Sequence, residues 1–328
     1  MSIDQSLAVF RPLRRPHDYP GMAAANLAGR VTAGRPSGIT TDDITRFVEH
    51  LVNIDLDRDV QVVEVDGAVA GYSIVYWRDL TDGERIFVVY RILDPAARGH
   101  GIEDRTLAWV GRQMREIAAE LPDRRPSRAT AFTWSDDDVG ARLLRARGWT
   151  EEARSYEMVR LSLDGIPVLP LPAGFEIRAL ERRDGPRLWE ALVDGFRDHR
   201  NTPEATPEDR DRFLGDQDQD PSLWLAAFDG DEIAGGVVNL IDPAENARLG
   251  RELGYVEAVF TRPAWRRRGL ARALVAQSLV RLRERGMTCA SLMVDGANPN
   301  QAMSLYEDLG FHIASTETEW TIALEDIP

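Results

Sequence analysis

The chain has a single cysteine, Cys289, among its 328 residues, which excludes an intrachain disulfide framework. Histidine is scarce too, at five, so a structural zinc site is not expected and no metal is assigned. No apolar run approaches the roughly 18 residues that span a bilayer, so no membrane partner is expected. The first residues, "MSIDQSLAVFRPLRRP", lack a charged region followed by a long apolar one. That argues against a signal peptide and makes the cytoplasm the expected compartment. Positive charge is also in deficit: 40 basic residues face 54 acidic ones, for a net charge of −14. Broad nucleic-acid binding rests on neutralising phosphates with basic side chains, so it is not expected here. An acidic surface suits a cationic partner, although many proteins carry one for solubility alone. What remains is 43% hydrophobic residues in a chain long enough for two ordinary domains.

The chain repeats itself at an offset of about 165 residues, a spacing that suits duplicated domains. "AVFRPL" (8–13) parallels "FEIRAL" (175–180), and "VVEVDGAVAGYSIV" (62–75) parallels "LAAFDGDEIAGGVVNL" (225–240). The second pair reads as two hairpins, each turning at Asp-Gly. "DPAARGHGIEDRTL" (94–107) parallels "RPAWRRRGLARAL" (262–274), and "GARLLRARGW" (140–149) parallels "AMSLYEDLGF" (302–311). Between the halves, "DGIPVLPLPAG" (164–174) carries three prolines and suits a linker. The division expected is therefore 1–164, a linker at 165–174, and 175–328. Each half is expected to be α+β: strand, helices, hairpin, then strand-helix-strand-helix and terminal strands. A monomer or homodimer is expected.

In the second half, "YVEAVFT" (255–261) is a predicted strand ended by Pro263, and a helix is predicted to open near Gly269. Ala271, Leu274, Val275, Leu279 and Leu282 give that helix an apolar stripe, and Gly286 closes it. "CASLMV" (289–294) is a further strand, with Cys289 expected to be buried. Asn298 and Pro299 stand where an N-cap and a first helical residue belong, and Gly310 where the helix stops. A strand, an arginine-rich turn, a glycine, a small residue and a helix together make a phosphate site. The helix start offers unpaired N–H groups and partial positive charge, and glycine permits close approach. A purely solvated helix end has no need of Gly269 and Ala271. Neither a dinucleotide fingerprint nor a Walker loop is present.

"RRRGLA" (266–271) resembles the Q/R-x-x-G-x-G/A pyrophosphate loop of the GNAT superfamily of N-acetyltransferases. "VDGANPNQAMSLYEDLGF" (294–311) is similar to that family's last strand-helix segment, at the expected distance. The duplicated layout resembles the tandem, mycothiol synthase-like members, with intact motifs only in the second half. The resemblance implies two GNAT-like domains, each a mixed, mostly antiparallel sheet flanked by helices. It also implies acetyl-CoA as cofactor. Its pyrophosphate would lie on the loop Arg266, Arg267, Arg268, Gly269, Leu270 and Ala271. The strand carrying Val259 and Thr261 would run beside the pantetheine arm and polarise the thioester carbonyl. Asn298 would bond the pantetheine side, and Tyr306 would protonate the departing thiolate. Taken without the resemblance, Asn298 reads equally as a helix cap and Tyr306 as a core residue.

An amine acceptor must lose a proton before it attacks. Glu257, expected to alternate with Tyr255, Val259 and Thr261 on one strand face, is the candidate base, with an arginine ion pair as its other reading. Phe196 and His199, in "DGFRDHR" (194–200), fall where tandem members line the acceptor pocket. In the first half, Glu103 replaces Ala271, Asp136 replaces Asn298 and Leu144 replaces Tyr306. A carboxylate at a helix start repels a pyrophosphate, so that half is expected to be degenerate. The expected activity is direct acetyl transfer to the primary amine of a small molecule. The alternatives are acetylation of a protein or peptide N-terminus, and a non-catalytic acyl-CoA-binding role.

Overall fold

The computed structural model describes residues 8–32, 38–99, 101–215, 219–297 and 302–327. Chain contacts divide it into two compact units, 1–153 with 317–328, and 154–316. In the first, β1 (Ala8–Pro12) precedes helices α1 (Tyr19–Thr32) and α2 (Thr41–Glu49). Strands β2 (Val60–Val65), β3 (Ala68–Asp79) and β4 (Arg85–Leu93) follow, then α3 (Ile102–Glu120), β5 (Ser127–Trp134) and α4 (Asp138–Ala146). Next comes β6 (Thr150–Arg160), whose residues from 154 onward belong to the second unit.

The second unit continues with β7 (Glu176–Arg178), α5 (Gly185–Phe196) and α6 (Pro207–Gly215). Then come β8 (Leu225–Asp229), β9 (Glu232–Ile241), α7 (Pro243–Leu249), β10 (Leu253–Thr261) and α8 (Leu270–Glu284). It closes with β11 (Cys289–Asp295), α9 (Ala302–Asp308) and the start of β12 (His312–Ala323).

Each unit holds a mixed, mostly antiparallel sheet. In the first, β1 to β4 pair antiparallel in sequence, β4 and β5 pair parallel, and residues 317–323 of β12 pair antiparallel with β5. In the second, β7 to β10 form the antiparallel run, β10 and β11 pair parallel, and residues 155–160 of β6 pair antiparallel with β11. The compact units therefore depart from the sequence repeat at its ends. The last sheet position of each is filled by the strand that the other half of the sequence provides. The pairing of β6 with β11 and of β12 with β5 decides which sheet each strand completes.

Alternation within strands feeds both faces of each sheet. In the first unit Val62, Tyr72 and Ile74 pack with Met22, Ile44 and Val48 of α1 and α2. Val75, Phe87 and Val89 face Val110 and Met114 of α3. In the second, Val238 and Phe260 pack with Leu188 of α5, while the adjacent Val237, with Val256, meets Leu274 and Leu279 of α8. The first hairpin turns on Asp66 and Gly67, both left-handed, as the Asp-Gly reading expects. In the second hairpin Asp229 still pairs with Glu232, so Gly230 and Asp231 form the loop, one residue later than Asp-Gly suggests.

Candidate active site

Strand β10 pairs with β9 from Gly254 to Thr261 but with β11 only over Leu253–Tyr255. The break coincides with a bulge between Val256 and Ala258, which places Glu257 as the extra residue. A bulge bends its strand and increases local twist, so β10 swings away from β11 beyond it. The gap is the floor of a cavity of about 570 Å³, lined by Val259 and Thr261 of β10, the turn after it, the start of α8, His199, and Tyr306 of α9.

The bulge also removes Glu257 from its expected place. Strict alternation fails there; Glu257 is exposed and does not line the cavity, whereas Val259 and Thr261 do.

Beyond Pro263–Trp265, Arg267 takes a left-handed backbone with φ of 61° and Gly269 one with φ of 80°. Gly269 is the N-cap of α8 and supplies no side-chain cap. The first intrahelical bond there is from the Ala273 N–H to the Gly269 carbonyl, which leaves the N–H groups of Leu270, Ala271 and Arg272 without helical partners. A Cβ built on Gly269 meets nothing within 4 Å, so its surroundings are open. Phosphate oxygens fit such a cradle, which combines space, orphan donors and the positive end of a 15-residue helix.

The three arginines differ in role. Arg267 lines the cavity and makes no hydrogen bond or ion pair with described residues, so its guanidinium is available to an anion. Arg268 is exposed, lies outside the cavity lining and reaches only the Ala264 carbonyl, at 3.4 Å. Arg266 is folded back: it donates to Asp198 at 2.7 Å, to the Gly195 carbonyl at 3.0 Å and to the Thr261 carbonyl at 3.1 Å. It ties the turn to α5 and β10, and its charge is already matched. Leu270 is buried beneath the loop and Ala271 is half-buried at its edge.

The end of α5 reaches the cavity because Gly195 lies against Phe260, where an added Cβ would meet the Phe260 Cβ at 2.8 Å and its ring at 3.0 Å. His199 follows, half-buried, with Phe196 edge-on to its ring at 4.7 Å. Phe196 itself packs into the core beside α5, so it orients His199 rather than lining the cavity. Burial and then the nearby Arg266 guanidinium lower the His199 pKa, against opposing pulls from Asp295 and Asp198. The imidazole is therefore neutral near pH 7 and able to accept a proton.

Tyr306 is buried on α9, with Phe311 edge-on at 6.0 Å. Burial pushes its pKa up to about 12, which keeps the hydroxyl protonated as a donor. Arg160 of β6 anchors the end of this helix by donating to the Leu309 carbonyl, and to the Ser162 and Asp164 carbonyls at 2.8 Å. Asn298 lies outside the described residues. Sequence reading did not single out Trp265, Arg272, Ala302 and Leu305, which also line the cavity. Trp265 and Arg272 lie one residue either side of the 266–271 motif, which was the available signal.

The first unit has the same frame with different contents. Gly99 and Gly101 are left-handed, as are Arg267 and Gly269, and Gly101 caps α3. There, however, Glu103 is buried and its carboxylate accepts the Gly99 N–H at 2.8 Å. An internal carboxylate thus takes the donor that corresponds to the N–H of Arg267. Leu144, at the position of Tyr306, is a core residue. Cys289, expected to be buried, is half-buried beside the Glu252 carbonyl. Among the described residues no His, Cys, Asp and Glu group could hold a metal ion, and no helix is long and apolar enough to cross a membrane.

Comparison with known proteins agrees with this geometry. The model of the acetyltransferase (GNAT) family matches residues 186–311, which span the cavity. A mycothiol acetyltransferase of Thermobispora bispora is 30% identical over 77% of this chain and 78% of its own length. One from Streptomyces scabiei is 28% identical over 75% and 76%. Among solved structures, a GCN5-related N-acetyltransferase from Sphaerobacter thermophilus superposes with a TM-score of 0.74 at 21% identity, covering 99% of this chain and 97% of that one. A tandem GNAT protein from the clavulanic acid biosynthesis pathway superposes with a TM-score of 0.66 at 16% identity, covering 97% and 98%. With the duplicated frame and these relatives together, the chain belongs to the GNAT family of acetyltransferases, in its tandem form.

Proposed function

We propose that the second unit transfers an acetyl group from acetyl-CoA directly to the primary amine of a small molecule, and that the first unit is a degenerate partner. The observation that carries this reading is the cavity itself. It joins a phosphate-sized cradle at Arg267–Ala271 to a buried proton donor, Tyr306, and a neutral imidazole, His199. The cofactor would be held by the N–H groups of the loop and by Arg267, with Val259 and Thr261 beside its arm. When bound, it supplies an activated thioester.

The residues of this chain then provide what aminolysis of such an ester needs. A backbone N–H of β10 near the bulge stabilises negative charge on the carbonyl oxygen. His199 takes a proton from the acceptor ammonium, a role for which the exposed Glu257 is poorly placed. Tyr306 donates its proton to the sulfur leaving group, and burial keeps that proton in place until it is needed. A small acceptor fits a cleft of this volume, which is set between β10, α8 and α9. The names of the relatives, mycothiol acetyltransferases, support a mycothiol-related small molecule as the first class to test.

The test is a screen of amine acceptors with thiol-release detection, including aminoglycosides, polyamines, cysteinyl glucosamine conjugates and N-terminal peptides. All 40 basic residues are arginine, so no lysine of the enzyme can accept label and confuse the signal. Turnover with a small amine is the expected result. Turnover confined to peptides would shift the reading to N-terminal acetylation, and thiol release with no acceptor tested would remove it.

A further inference from the structure

In the first unit the wedge between β4 and β5 is not filled: it holds a cavity of about 290 Å³. That volume sits at the lower end of the range for small-molecule pockets. Its wall includes Arg91, at the position on β4 that Val259 occupies on β10, and Arg30 from α1. Neither guanidinium makes a hydrogen bond or ion pair with any described residue. An arginine inside a fold is normally paired, because removing its charge from water costs several kcal/mol. Burial lowers the Arg91 pKa; Asp137 and Glu103 pull it back up.

Four carboxylates line the cavity, Glu103, Asp136, Asp137 and Glu317, and the two that act most directly on Arg91 are already engaged. Glu103 accepts the Gly99 N–H at 2.8 Å, and Asp137 accepts the Gly140 N–H at 3.0 Å and pairs with Arg98 at 3.4 Å. The strand row behind Arg91 is polar as well. Ser73 lies directly across β3 from it, and Gln61 lies across β2 from Ser73. Both are buried, and the Ser73 hydroxyl and the Gln61 carbonyl oxygen have no partner. The corresponding row in the second unit is apolar, with Val259 on β10 paired to Val237 on β9.

We propose that this cavity binds a small carboxylate, held by the Arg91 guanidinium. A planar guanidinium matches a carboxylate in a two-bond geometry, and the cavity admits a molecule of amino-acid or short dicarboxylate size. The site is separate from acetyl transfer, and its occupancy does not depend on the second unit's chemistry. Arg30, from the α1 side of the wedge, would hold a second acidic group when the ligand carries one.

The experiment is calorimetric titration of the full chain with succinate and with glutamate, and separately with inorganic phosphate and coenzyme A. One equivalent of succinate or glutamate is expected, weakened roughly tenfold to a hundredfold in Arg91→Gln. The same carboxylate affinity should persist in Arg267→Gln, which separates this cavity from the anion cradle of the second unit. Arg91→Gln should unfold at the parent's temperature or above it, since the change removes a desolvated, unpaired charge rather than a contact. Three outcomes would overturn the proposal: no carboxylate binding, unchanged binding in Arg91→Gln, or coenzyme A binding that depends on Arg91.

Discussion

Two strands in this molecule begin alike and end differently. In the first unit β4 runs beside β5 over five pairs, Arg85 to Val89, without irregularity. In the second, β10 leaves β11 after three pairs, at the Glu257 bulge. Separation two residues earlier accompanies a cavity of about 570 Å³ rather than about 290 Å³. The side chains then amplify the contrast. Arg91 and Glu103 line one wedge, with Leu144 withdrawn into the core; Val259, Ala271 and Tyr306 line the other. The duplicated frame supplies a gap between parallel strands, and a handful of residues determines what that gap admits.

The largest test of the contrast is to put a carboxylate into the cradle of the second unit. Gly269→Glu places a carboxylate at the helix start and a β-carbon at a φ of 80°. Left-handed backbone costs an ordinary residue about 1–2 kcal/mol, and the new charge repels a pyrophosphate. Acetyl-CoA binding by calorimetry should fall below detection; unchanged affinity would remove the loop assignment. Tyr306→Phe keeps the ring and deletes the proton donor. Turnover should drop by about 10²–10⁴-fold while cofactor affinity stays within a few-fold.

A third test counts sites. With Glu103 already bonded to the Gly99 N–H, the first unit should add no acetyl-CoA, so saturation should give one equivalent per chain. Two well-occupied sites would erase the distinction between the units.

The pair His199 and Glu257 gives the two smaller effects. His199→Gln should lower turnover roughly tenfold or more. The parent enzyme should be flat above pH 6.5 and lose activity as acid protonates His199, because its pKa lies below the usual 6.5. Glu257→Gln should change turnover by less than about twofold, as expected of an exposed residue outside the cavity. A tenfold loss there would restore Glu257 as the proton acceptor.

Much of the second unit was legible in its sequence. Gly269 and Gly286 mark the two ends of α8, and the apolar stripe fixes its buried face, although Ala271 proves to edge the cavity. The bulge was not legible. Val-Glu-Ala continues a strand pattern without a break, and only the pairing with β9 shows that one residue is extra. The commitment of Arg266 was hidden for a related reason: Asp198 and the Gly195 carbonyl are about seventy residues away, and motif matching reads charge without its partners. Helix α7 could have been found, since Asp242 and Pro243 stand at its start and Gly250 at its end. Which sheet each terminal strand completes was beyond reach, because strand pairing is tertiary and neither β6 nor β12 carries a local signal for its partner.

That traded pair of strands has a consequence for the order in which the molecule can be made. The first unit needs residues 317–323 alongside β5, and the ribosome adds them only after the whole of the second unit. The second unit needs 155–160, which are available long before β11 emerges to meet them. During synthesis, then, the half that starts first must wait with the outer edge of β5 unpaired, an open edge of the kind that recruits foreign strands. The half that starts second can finish first. The unit bearing the larger cleft therefore has all of its strands synthesised before the other does, the reverse of the usual N-to-C order.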